Sequence, residues 1–100
     1  AAGFLVALAA TTTGALAAME ATPPDIVVTD LMMPGGGGGR EVLRRAAELP
    51  GRPPVILMTG RTEEALTDEL IAEGASRCLQ KPFRLKDLLA EIDSVLEQRR

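Results

Sequence analysis

"VVTDLMMPG", residues 27–35, sets an aspartate at the end of a β-branched run and follows it at once with a Met-Met-Pro-Gly turn. The run begins at Asp25, as "DIVVTD", and carries no polar residue on every second position between its two acids save Thr29. A strand of this kind is apolar on both sides and belongs in a sheet covered on both faces. Pro34 and the five glycines at 35–39 cannot prolong it. Asp30 therefore marks the point where a buried strand opens into a loop.

Working outward, "GFLVALA" (3–9) is another apolar run of strand length, "TTTG" interrupts it, and "ALAAMEA" (15–21) is rich in helix formers. "TPP" (22–24) stops that helix. Downstream, "REVLRRAAEL" (40–49) places Val42, Leu43, Ala46 and Ala47 on one helical face, opposite charges. "VILMT" (55–59) is a third strand. "TEEALTDELIAEG" (62–74) has a capping Thr62, acids in its first turn and a terminal glycine. "SRCLQ" (76–80) is a weaker strand, and "RLKDLLAEIDSVLEQ" (84–98) carries Leu85, Leu88, Leu89, Ile92, Val95 and Leu96 at helical spacing. The order β-α-β-α-β-α-β-α predicts a four-stranded parallel sheet with helices on its faces.

Composition removes several functions. The 100 residues suit one domain spanning the whole chain, 1–100, and 46% hydrophobic with 25% charged residues reads as globular. A net charge of −3, two Phe and no Trp or Tyr argue against a nucleic-acid partner. The absence of histidine excludes imidazole acid–base catalysis and imidazole metal ligands. Cys78 is the only cysteine, so no internal disulfide forms, and a reducing, cytoplasmic compartment is expected. Residues 1–19 are uncharged but lack a basic flank and are broken by Thr and Gly, which argues against an export signal or membrane span. The glycines do not form a phosphate loop, since Arg40-Glu41 follows them instead of Lys-Ser/Thr.

Three strands end in reactive side chains: Asp30, Thr59 and Lys81. Ligands gather at the carboxyl ends of parallel strands, where these three would meet. A carboxylate nucleophile, a hydroxyl donor and an ammonium suit phosphoryl transfer to Asp30.

"PDIVVTDLMMPG", "VILMTG" and "GASRCLQKPF" resemble, in order and spacing, the central motifs of the response-regulator receiver domain of two-component signalling. The resemblance covers nearly the whole chain and implies a flavodoxin-like α/β fold. It implies that Asp30 is the phosphoacceptor, that Thr59 contacts the phosphoryl group, that Lys81 pairs with it, and that Lys81–Pro82 is cis. It further implies Mg²⁺ beside Asp30, held by the Asp30 carboxylate and the Met32 backbone carbonyl. Met32 and Arg61 fall where family members control access of water. The implied partner is a histidine kinase or histidine phosphotransfer protein, and no enzymatic turnover beyond phosphoryl transfer onto Asp30 is expected.

The match also has departures. Family members begin with a strand ending in paired acids and a first helix, and this chain starts after both. The expectation is a four-stranded sheet in which "GFLVALA" pairs directly with "DIVVTD" or loses its partner. It includes a partly uncovered sheet face that invites homo-oligomers or a protein partner. The rival reading is a phosphorylation-independent interaction module in which Asp30 and Lys81 remain as a structural ion pair. A chain ending just past its last helix suits a stand-alone receiver or the terminal receiver of a hybrid kinase.

Overall fold

Strands β1 (Val6–Ala7), β2 (Ile26–Asp30), β3 (Val55–Thr59) and β4 (Arg77–Gln80) form one sheet in chain order. Every neighbouring pair is parallel. In this computed structural model the described residues are 6–7, 11–32, 34–60 and 64–98. β1 pairs directly with β2, Val6 opposite Ile26, which realises the first of the two expected arrangements.

Helices α1 (Thr12–Ala21), α2 (Gly38–Glu48) and α3 (Glu64–Ala72) pack on one face, and α4 (Leu85–Gln98) on the other. Alternate strand residues divide between the faces as the pleat demands. Val27, Val55 and Leu57 join Met19, Val42, Leu43, Ala46 and Leu70. Ile26, Val28 and Ile56 join Ile92, Val95 and Leu96. Full burial of each of these Val, Leu, Ile and Met side chains is worth about 1.5–3 kcal/mol. The α/β class is as expected.

Several expectations are corrected in detail. α1 begins at Thr12 rather than Ala15, because the Thr11 hydroxyl caps it, accepting from the Gly14 N–H at 3.0 Å. α2 begins at Gly38 rather than Arg40, and the Glu41 carboxylate reaches back to the Gly37 N–H at 2.7 Å. Ala47, expected on the buried face, is exposed. The expected Thr62 cap lies outside the described residues.

The sheet face under α4 is not bare at β2 and β3, because Ile26, Val28 and Ile56 are buried there. Among the described residues, exposed apolar side chains on the first turns of α4 include Leu85, 69% exposed, and Leu89, 46% exposed. The stripe thus packs through Leu88, Ile92, Val95 and Leu96 and leaves Leu85 and Leu89 outward. Ion pairs tie the layers: Arg45 to Glu20 across α2 and α1, Arg40 to Glu69 and Glu73 across α2 and α3, and Arg77 to Glu91 across β4 and α4. All are partly exposed and each contributes about 0–1 kcal/mol.

Candidate functional site

Asp30 and Thr59 close β2 and β3, and Lys81 follows β4 directly. The register places Asp30 beside Met58 and Thr59 beside Gln80, so the three residues lie at the carboxyl edge of adjacent strands. With strands about 4.8 Å apart, the group spans roughly 10 Å. The edge is stitched together by backbone bonds: the Leu31 N–H donates to the Met58 carbonyl at 2.9 Å, and the Lys81 N–H to the Thr59 carbonyl at 2.8 Å. The Lys81–Pro82 bond is cis, as the family resemblance implies.

The Lys81 ammonium pairs with Asp30 Oδ2, and the Met32 N–H donates to Asp30 Oδ1 at 3.2 Å. The Asp30 side chain is 30% exposed and that of Lys81 44%, whereas Thr59 is only 5% exposed. The carboxylate is therefore reachable from solvent while it is held by a cation and an amide. Met32 stands on the rim, 79% exposed. Arg61, the other residue expected to control water access, lies outside the described residues.

The glycine loop takes its shape from contacts the sequence did not reveal. Gly35, Gly36 and Gly38 have φ of 88°, 150° and 72°, conformations that favour glycine. The first residues of α1 hold this loop. The Thr12 N–H donates to the Pro34 carbonyl at 3.0 Å, the Gly38 N–H to Thr12 Oγ1 at 3.0 Å, and Thr13 Oγ1 to the Gly35 carbonyl at 2.8 Å. The Gly39 N–H donates to the Leu31 carbonyl at 2.9 Å. The amides of Gly37, Gly38 and Gly39 are thus spent within the protein, and the loop presents no phosphate cradle. "TTTG" reads in the sequence only as a break between two elements. Three hydroxyl residues ahead of a helix were the one signal of capping, and nothing local pointed to the glycine loop.

On the far side of the site, burial pushes the Cys78 thiol above its ordinary range. That disfavours thiolate and fits an inert side chain packed against the α1–α3 core.

The family resemblance also implies Mg²⁺ at this edge. The Asp30 carboxylate and the Met32 carbonyl are its expected ligands, but no group of three acidic, Cys or His side chains gathers among the described residues. Mg²⁺ demands six oxygens in near-octahedral array. These residues do not by themselves make a Mg²⁺ site.

Comparison with known proteins accords with this arrangement. The chain matches the response regulator receiver domain family over residues 1–93. It is similar to a signal receiver domain from Vibrio parahaemolyticus, with 25% identity, TM-score 0.82, and coverage of 91% of this chain and 69% of that one. A two-component response regulator of the LuxR family from Aurantimonas sp. SI85-9A1 is 32% identical, with TM-score 0.78 and coverage of 92% and 65%. A CheY-like receiver domain from Methanospirillum hungatei JF-1 is 26% identical, with TM-score 0.77 and coverage of 89% and 70%. The chain thus spans about two thirds of the length of these solved relatives. No curated protein matches it. The chain belongs to the response regulator receiver domain family, whose members are modules of two-component signalling. No helix among the described residues is long and apolar enough to cross a membrane.

Proposed function

We propose that this chain is a single phosphoacceptor receiver domain of a two-component phosphorelay in the cytoplasm. Asp30 would take its phosphoryl group from a phosphohistidine on a histidine kinase or phosphotransfer protein. One Asp30 oxygen attacks phosphorus, the P–N bond to the donor imidazole breaks, and the imidazole leaves with the electron pair and takes up a proton. Lys81 offsets charge on the phosphoryl oxygens, and Thr59 donates a hydrogen bond to one of them. Mg²⁺, if it takes part, needs further oxygens from the donor, water or another chain.

The observation that carries the reading is the Lys81–Asp30 pair on a solvent-reachable carboxylate at the carboxyl edge of a receiver-family sheet. A pair this exposed contributes little to stability, about 0–1 kcal/mol, which weakens the rival reading of a purely structural ion pair. One observation favours that rival, a phosphorylation-independent interaction module: no group of three or more acidic, Cys or His side chains gathers among the described residues.

Intact-mass measurement after incubation with Mg²⁺ and a small-molecule phosphodonor separates the two. A phosphoryl adduct on the parent and none on Asp30→Asn supports the phosphoacceptor. Absence of the adduct on a folded parent leaves the interaction module.

A further inference from the structure

We infer that Thr12 is a positioning residue for the phosphoacceptor: it sets the loop after Asp30 and, through that loop, the groups that meet the incoming phosphoryl. The inference rests on the phosphoacceptor reading of Asp30.

Thr12 is the first residue of α1, is 1% exposed, and lies 26 residues before its partner in the chain. It grips both ends of the 34–38 segment at once. Its N–H holds the Pro34 carbonyl, and its hydroxyl accepts the Gly38 N–H. The neighbouring Thr13 adds an exposed bond to the Gly35 carbonyl. Contact is close as well as polar: a Cβ on Gly36 would meet Thr12 Cγ2 at 3.1 Å and Thr12 Cβ at 3.2 Å. Residues 34–39 are thereby held at both ends: the Gly39 N–H meets the Leu31 carbonyl, and Pro34 and Gly38 are pinned to α1. Leu31 is thus the shared anchor of this stretch and of Met32, whose N–H bonds Asp30 Oδ1.

A run of five glycines has the widest conformational choice of any sequence of its length. Without an external hold it would sample many shapes, and the rim beside Asp30 would not keep one arrangement. The hold comes from the N-terminus of α1. Phosphoryl transfer is sensitive to placement, since a shift of about 1 Å can cost roughly a hundredfold in rate. Thr12 touches no reacting atom, so it acts only through the loop it fixes.

The test compares Thr12→Val, Thr12→Ser and Thr13→Val with the parent. Val keeps the shape of Thr12 but removes the acceptor, Ser restores the acceptor, and Thr13 is exposed so its loss cannot unfold the domain. Two readouts are taken: hydrogen exchange of the 35–39 amides, and the rate and lifetime of the Asp30 adduct formed from a small-molecule phosphodonor. Thr12→Val is expected to speed Gly38 exchange by roughly tenfold and slow phosphoryl uptake by about the same factor. Thr12→Ser is expected to restore both, and Thr13→Val to shift both in the same sense by less. Unchanged Gly38 exchange in Thr12→Val would overturn the clamp. Faster exchange with unchanged uptake and lifetime would overturn its positioning role. If Thr12→Val does not fold, faster loop exchange in Thr13→Val without any change in uptake or lifetime overturns the role equally. A parent that takes up no phosphoryl group refutes the phosphoacceptor reading itself, and the positioning role falls with it, while the exchange arm still reports separately on the clamp.

Discussion

Replacing Gly39 with alanine tests how tightly α2 is seated against the end of β2. A Cβ at Gly39 would stand 2.6 Å from the Asp30 carbonyl oxygen, 2.9 Å from Leu31 Cα and 3.0 Å from Leu57 Cδ2. Two of these are backbone atoms that cannot swing aside, so α2 must lift or β2 must bend. Overpacking of this kind costs about 1–3 kcal/mol. Lifting α2 also stretches the Gly39 N–H bond to the Leu31 carbonyl, worth about 0.5–1.5 kcal/mol. Against this, alanine gains about 1 kcal/mol over glycine within a helix. The balance is a loss near 2 kcal/mol, or a fall in Tm of about 8–16 °C for a domain of this size. Gly60→Ala is the control, because nothing lies within 4 Å of its Cβ and its φ is not left-handed. It should leave stability unchanged or raise it by up to about 1 kcal/mol. Thermal unfolding followed by circular dichroism measures both. If Gly39→Ala proves as stable as Gly60→Ala, α2 is not pressed onto the Asp30 carbonyl and the account of the site's base is wrong.

Lys81→Met should change the unfolding free energy in urea by less than about 1 kcal/mol, because the Asp30–Lys81 pair is partly exposed, yet slow phosphoryl uptake by roughly a hundredfold. A large stability loss with unchanged uptake would favour the structural ion pair. On α4, Ile92→Ala should cost about 2–5 kcal/mol while Leu85→Ala stays within about 0.5 kcal/mol, since the first is buried and the second 69% exposed. Equal losses in chemical denaturation would mean that Leu85 is covered. Burial raises the Cys78 thiol above its ordinary 9.0, so the unfolded chain loses that proton first as pH rises. The parent should therefore lose stability relative to Cys78→Ala only above about pH 9, with parallel curves below. A difference that instead grew toward acid pH would contradict the burial argument.

The order of elements and the three strand-end residues were legible in the chain because both are local patterns. A continuous apolar run identifies a covered parallel strand, a 3.6-residue repeat identifies a helix, and the residue closing each strand is fixed by where the run stops. Asp30, Thr59 and Lys81 could be placed at one edge because parallel topology leaves them no other. Even the length of α1 was misjudged only where a cap, not a propensity, set its start. What tertiary structure decided concerns pairings between distant segments. It chose β2 as the partner of β1, and it turned the Leu85 and Leu89 side of α4 outward while Ile92, Val95 and Leu96 sank onto the sheet. It also seated "TTTG" against the glycine loop 22 to 26 residues away. None of these leaves a periodic signature, because a hydrogen bond between Thr12 and Gly38 depends on where two helices are brought by the sheet between them. The chemistry of Asp30 was written in the chain, whereas the hold on its loop exists only once the strands have paired.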